Sequence, residues 1–208
     1  MFDLALFGHV LGATLLISAV VISVSGLLRA HRATTSEQIR AVTSGVPVAD
    51  RLIPPAMILV LGLGLYLVAA RDNRPGTVHW NSGWVIASLA IFALMSVLGP
   101  AVEARRAKRL HLAACAEPDG PIGTELDRLR RDPLHAHVTL FGASQLVALL
   151  YLMTNRPGLT ATLIAVVAST LASVVTARLT LGTIPATPLD TSLNHPMRTP
   201  ATTERAMP

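Results

Sequence analysis

The chain is poor in several residue types, and each shortage excludes a class of structure. It contains one cysteine, Cys115, so no internal disulfide framework can form. Charged residues make up 14% of the 208 residues, whereas a soluble domain of this length is more polar. Five long apolar runs contain no aspartate, glutamate or lysine. That lack disfavours a proton- or ion-coupled transporter, because such proteins hold ionisable groups at mid-membrane depth.

Those five apolar runs dominate the rest of the chain, in which 51% of the residues are hydrophobic. At about 1.5 Å per helical residue, each run is long enough to cross or nearly cross a hydrocarbon core of about 30 Å. The sequence therefore predicts an all-α integral membrane protein with five transmembrane helices in one domain, residues 1–184. A proline- and threonine-rich tail, residues 185–208, is expected to be disordered. The predicted helices cover residues 4–28, 52–70, 83–102, 138–154 and 159–181.

The distribution of basic residues predicts the orientation of these helices. Fourteen Lys and Arg residues fall on one set of alternate connections and three on the other, and cytoplasmic loops carry such an excess. We therefore expect the N-terminus outside, the C-terminus in the cytoplasm and a multi-pass protein of the bacterial plasma membrane. Because the arginines flank apolar helices, the expected partner of the net charge of +5 is the lipid bilayer and not nucleic acid.

Two short helices are predicted on the cytoplasmic side. Thr34 and Glu37 have the spacing of a capping box, which is typical of the start of a helix. The third long helix is expected to run beyond residue 102 as far as Ala116, since glycine and proline are missing there and prolines follow. A second short helix is expected to open at Thr124 and to lead into the fourth long helix.

Small residues mark two surfaces for close helix packing. Helices in lipid associate through small residues, because these let two backbones approach. Gly8 and Gly12 form one such groove on the first helix. Both surfaces can mediate contacts within the five-helix bundle, with a second copy of the chain or with another membrane protein. Contacts within the bundle are favoured, because the five helices must first pack with each other. Gln145, near the middle of the fourth helix, is expected to hydrogen-bond to another helix. The second surface, on the last helix, is the four-residue ladder Ala161, Ala165, Ser169, Ser173 and Ala177.

His9 is the candidate cofactor ligand. It lies in the first helix, about 8 Å below the expected outer end, and is flanked by Gly8 and Gly12. A histidine on such a face can ligate haem iron, with the small residues making room for the macrocycle. The alternative is a neutral imidazole that hydrogen-bonds to a neighbouring helix. The sequence favours the hydrogen-bonded histidine and no cofactor, with haem as the alternative.

His111 and Cys115 are the candidate metal ligands. They stand four residues apart on the extended end of the third helix, a spacing that directs both side chains to one face. The alternative is an interfacial histidine beside a free thiol. No catalytic set of nucleophile, base and acid is recognisable, so the sequence favours a protein without an enzymatic site of its own while leaving an enzyme open.

Three segments carry a resemblance to a known family: Leu6–Gly12, Ala49–Met57 and Leu152–Gly158. With them the chain resembles the bacterial predicted integral membrane proteins grouped as domain of unknown function 2269, over roughly residues 4–158. That family has no established reaction, so the resemblance implies a membrane fold and no functional residue. More distantly, a first-helix histidine followed by glycine is similar to the opening of the copper-resistance D proteins and of the membrane protoporphyrinogen oxidases, which bind haem. Those oxidases rely on a lysine within the membrane, and the apolar runs here have none.

The sequence thus favours a structural or accessory membrane component that works through helix–helix contacts. The alternative is a haem- or copper-linked redox or metal-handling membrane protein centred on His9. Passive transport of a small solute has the least support.

Overall fold

A computed structural model describes residues 1–70 and 78–182 of the chain, and the regular structure in that part is helical. A π-helical turn, Gly99–Ala104, connects the fourth α-helix to the fifth. The predicted disordered tail lies outside the described residues, as does the 71–77 part of one connection. The α-helices are α1 (Phe2–Arg32), α2 (Ser36–Thr43), α3 (Val46–Ala69), α4 (Gly83–Leu98), α5 (Arg105–Ala116), α6 (Thr124–Arg130), α7 (Pro133–Asn155) and α8 (Leu159–Gly182).

Five helical stretches of the described chain are long and apolar enough to cross a membrane, which confirms the predicted all-α fold with five transmembrane helices. The third stretch continues through α5 to Ala116, as predicted. Each stretch exceeds its apolar run, because helical hydrogen bonding continues after the hydrophobic residues end. The stretches are Phe2–Arg32, Ser36–Ala69, Gly83–Ala116, Thr124–Asn155 and Leu159–Gly182.

The start of α3 differs from the prediction. The helix begins at Val46, six residues before the predicted residue 52. Pro47 lies in its first turn, where the missing N–H has no intrahelical partner to lose. Pro54 and Pro55 lie inside the helix and not at its start. Hydropathy marked only the apolar part of this helix, so its polar first turns were assigned to a loop.

Two helix caps also differ from the prediction. Thr35, and not Thr34, caps α2, and its Oγ1 accepts a hydrogen bond from the Gln38 N–H at 3.4 Å. The Gln38 side chain accepts in turn from the Thr34 N–H at 2.8 Å, so the reciprocal pairing of a capping box is displaced by one residue. Helix α7 begins at Pro133, five residues before the predicted 138, because the Asp132 side chain caps it.

Helix α1 packs closely along α3, and its glycines make the contact possible. A Cβ on Gly12 would lie 2.7 Å from the Leu59 Cβ and 3.1 Å from the carbonyl oxygen of Ala56. A Cβ on Gly8 would lie 2.5 Å from the Leu63 Cδ1. At Gly12 any larger residue would hold the two backbones apart, whereas at Gly8 it would displace the Leu63 side chain. The predicted glycine groove therefore serves a contact within the bundle.

The small-residue ladder of α8 also packs inside the protein. Ser173 and Ala177 are buried, and the other three members are half-buried. The Gln145 Nε2 of α7 donates to the Ser169 Oγ at 3.0 Å and to the Thr170 Oγ1 at 3.1 Å. This bonding confirms the interhelical role predicted for Gln145, and the ladder lies against α7 as the intramolecular interpretation required.

A small helical layer covers the side of the bundle where α1 ends, which we call the arginine-rich side; the opposite side is the arginine-poor side. Arg130 donates to the Ala33 carbonyl oxygen at 2.7 Å, and Arg40 donates to the Glu117 carbonyl oxygen at 2.8 Å. These arginines therefore stabilise the layer. Beneath them lies an apolar cluster of Ala30, Ala33, Ile39, Leu110, Ala114 and Leu126.

Candidate functional site

A large cavity in the described bundle opens toward the arginine-poor side. Its volume is about 590 Å³, which falls within the range of small-molecule sites. Helices α1, α3, α4 and α7 contribute its walls, and most of the lining is apolar. The lining residues that bear on its chemistry are His9, Trp84, Ser88, Phe92, Met153 and Arg156.

His9 lies in the wall of this cavity and is anchored to α3. Its Nδ1 lies 2.9 Å from the Val60 carbonyl oxygen, which is the contact that the alternative interpretation of this residue expected. A Cβ on Gly64 would lie 3.1 Å from the His9 Cε1, so Gly64 makes room for the imidazole. The expectation that Gly8 and Gly12 make room for a macrocycle was wrong, because α3 fills the space beside them.

Ser88 of α4 is a polar residue of the cavity that sequence reasoning missed. It is 7% exposed, and its Oγ has no hydrogen-bond partner within residues 1–70 and 78–182. Ser96 in the same helix behaves differently, since its Oγ donates to the Phe92 carbonyl oxygen at 2.7 Å. No sequence signal separates the two serines, because both stand in an apolar helix and only the neighbouring helices decide which hydroxyl is satisfied.

Interfacial residues line the outer part of the same cavity. Trp80 and Trp84 both contribute to the wall. Arg156 follows α7 with φ 45° and ψ 54°, a left-handed conformation that is unusual for a residue other than glycine.

A smaller cavity of about 240 Å³ lies toward the arginine-rich side. Asp50, Glu103 and His135 line it, and the Glu103 carboxyl is hydrogen-bonded to Ser23. Sequence reasoning missed this polar group because all three ionisable residues lie just outside the apolar runs. The early start of α3 and the π-helical turn place both acidic residues in the lining of this cavity, with Asp50 exposed and Glu103 half-buried.

The predicted metal pair is present as a contact on α5. The Cys115 Sγ lies 3.8 Å from the His111 Nε2, and the His111 Nδ1 lies 3.1 Å from the Thr43 Oγ1. His135 is buried and lines the smaller cavity, and His137 is half-buried near the start of α7. In the described part of the chain, no three His, Cys, Asp or Glu side chains gather as a group that could hold a metal ion. Metal binding by this pair therefore stays a prediction.

Comparison with known proteins agrees with the membrane architecture. The family of predicted integral membrane proteins called DUF2269 matches residues 4–157. No curated protein and no solved structure matches the chain, and the more distant similarity to the copper-resistance D proteins is not shown. The match covers most of the chain, from the start of α1 to the turn after α7. The chain therefore belongs to the DUF2269 family of predicted integral membrane proteins.

Proposed function

We propose that the protein is an accessory component of the bacterial plasma membrane that works by helix–helix association through the exposed side of α8. The observation that carries the proposal is a second row of small residues, Ala168, Ala172 and Thr176, which we call the outer stripe. All three are exposed and lie at intervals of four residues beside the packed ladder. A second helix can approach closely along such a row.

The chemistry of the outer stripe supports the same use. The Thr176 hydroxyl donates to the Ala172 carbonyl oxygen at 2.8 Å, so the stripe presents methyl groups and no unpaired donor. Large apolar residues flank it, with Leu171 61% exposed and Val175 57% exposed. These two residues suit lipid contact and lie on one side of the stripe, whereas the packed ladder lies on its other side. A second copy of this chain is the partner that the proposal names first.

The proposed orientation places the N-terminus outside and the arginine-rich layer in the cytoplasm. Its support is the fourteen-to-three distribution of Lys and Arg over alternate connections. In this orientation the outer stripe crosses the bilayer, and the layer built from α2, α5 and α6 faces the cytoplasm. Any partner therefore meets α8 within the membrane.

Disulfide cross-linking tests the outer stripe directly, because the chain has one native cysteine to remove. In a Cys115→Ser background, Ala172→Cys should give a cross-linked dimer when membranes are oxidised. Val174→Cys is the matched control, since it is exposed on the other flank of α8. We expect no dimer from the control. Equal cross-linking of the two variants, or none from Ala172→Cys, would contradict association through the stripe.

A haem- or copper-linked function centred on His9 is the second candidate, and one observation favours it. The His9 Nδ1 hydrogen bond to the Val60 carbonyl is the arrangement by which metal-ligating histidines are oriented. Met153 also lines the cavity, and a thioether can serve as a second axial ligand of haem. The glycines that were expected to accommodate the macrocycle are packed against α3, however, so the fit is partial. A Soret band lost in His9→Ala would support this candidate, and colourless protein without iron or copper would refute it.

A further inference from the structure

The cavity on the arginine-poor side has a polar side chain whose bonding restricts the chemistry of a ligand. His9 is half-buried in a mostly apolar wall, and one of its two ring nitrogens is already hydrogen-bonded to α3. A ligand that packs against the ring must offer a partner to the second nitrogen, because a polar group that is buried without a partner is costly.

His9 requires a donor from its ligand. The Val60 carbonyl oxygen can only accept, so at 2.9 Å the His9 Nδ1 carries the proton of this hydrogen bond. In the neutral form of the ring, Nε2 is then an acceptor. The imidazole fits in this position because Gly64 has no side chain, since a Cβ there would lie 3.1 Å from the His9 Cε1. An acyl chain supplies no donor for Nε2, and neither does an oxidised quinone, which has carbonyl groups only.

Ser88 lies in the same wall, but its hydroxyl is enclosed. The Oγ is buried and has no hydrogen-bond partner within the described chain. Thr14 and Ser18 of α1 donate to carbonyl oxygens four residues earlier, at 3.0 and 2.9 Å. Those hydroxyls are satisfied by their own helix, whereas Ser88 contributes to the wall without offering its hydroxyl to the cavity.

The walls of the cavity suit a flat ring. The chain has eight aromatic residues, and four of them line this one cavity. Aromatic side chains contact a planar ring favourably by offset stacking or edge-to-face packing. The cavity also has the volume of a site for a drug-sized molecule. The four aromatic residues are Phe2, Trp80, Trp84 and Phe92.

We propose that this cavity binds the ring of an isoprenoid quinol. One phenolic hydroxyl donates to the His9 Nε2, the ring packs against the aromatic side chains of the wall, and the prenyl tail leaves between the helices into the bilayer. The quinol combines the hydroxyl donor, the flat ring and the membrane-soluble tail that these walls require. This binding is independent of association through the outer stripe, and it competes with haem for the same nitrogen.

Calorimetric titration of the purified protein tests the hydrogen-bond requirement. Decylubiquinol, kept reduced without oxygen, is compared with its dimethyl ether, which has the same ring and tail but no hydroxyl donor. We expect saturable binding of the quinol with a Kd about tenfold lower than that of the ether, the effect of one hydrogen bond of ordinary strength. Equal affinities of the two compounds would overturn the proposal, since the cavity would then bind any apolar molecule.

Variants of α3 and α1 test whether the preference for the quinol depends on His9. Gly64→Ala places a methyl group against the His9 ring and should reduce quinol affinity several-fold while leaving the ether unchanged. Gly62→Ala is the matched control two residues away, where a Cβ meets nothing within 4 Å. His9→Phe should abolish the preference for the quinol. A preference that survives in His9→Phe, an equal loss in Gly62→Ala, or a His9-dependent Soret band in the wild-type protein would each overturn the assignment.

Discussion

Replacing Gly12 by alanine tests the contact between α1 and α3, on which the larger cavity is built. The new methyl group would lie 2.7 Å from the Leu59 Cβ and 3.1 Å from the Ala56 carbonyl oxygen. Both atoms are held close to the α3 backbone, so a rotamer change relieves neither contact and the helices must separate. Overpacking of this kind lowers the free energy of unfolding by roughly 1–3 kcal/mol. The better helix propensity of alanine offsets at most about 1 kcal/mol of that loss.

Gly62→Ala supplies the control for the propensity term. A Cβ on Gly62 meets nothing within 4 Å, so this variant gains helix propensity without a clash. The difference in unfolding free energy between the two variants should therefore be about 1–3 kcal/mol, or roughly 2–4 °C in Tm per kcal/mol. Unfolding in mixed micelles, followed by tryptophan fluorescence, measures it. A Gly12→Ala protein as stable as Gly62→Ala would refute the close approach of α1 and α3.

Three further predictions concern packing and orientation. Ala165→Leu combined with Ser169→Leu should lower Tm by several degrees, since both positions face α7 and overpacking costs roughly 1–3 kcal/mol each; an unchanged melting profile would mean that the ladder faces lipid. Gln145→Leu should lose about 1 kcal/mol of stability with its two interhelical hydrogen bonds, measured by the same unfolding assay. Reporter fusions after Ala116 and Gly76 should behave as cytoplasmic and external, and alkaline phosphatase activity at Ala116 would reverse the orientation.

The five membrane-spanning helices follow from the sequence alone, because hydropathy is a local property. Runs without charge that exceed the hydrocarbon thickness have few alternatives to a helix, since every backbone polar group must be satisfied internally in lipid. The helical extension to Ala116 and the need of Gln145 for an interhelical partner could also be predicted from the sequence. Each depends on a residue type and its position in one helix, and not on which helix lies beside it.

Helix ends were harder to predict from the sequence, because polar first turns carry no hydropathy signal. Val46 begins α3 within a stretch that reads as a loop, and Thr35 caps α2 although the neighbouring Thr34 has the more familiar spacing. In both cases the backbone continues a helix that the apolar pattern does not mark. The early start of α3 also places Asp50 in the lining of the smaller cavity.

Only the tertiary structure decided what the small and polar residues of the membrane helices face. The sequence placed Gly8 and Gly12 beside His9, but the structure packs both glycines against α3 and gives the room around the imidazole to Gly64. Ser88 has no distinguishing sequence signal, and only the neighbouring helices decide that its hydroxyl is enclosed without a partner among the described residues. Periodicity assigns a residue to one side of its own helix, whereas a binding site depends on which helices meet there and how closely they approach.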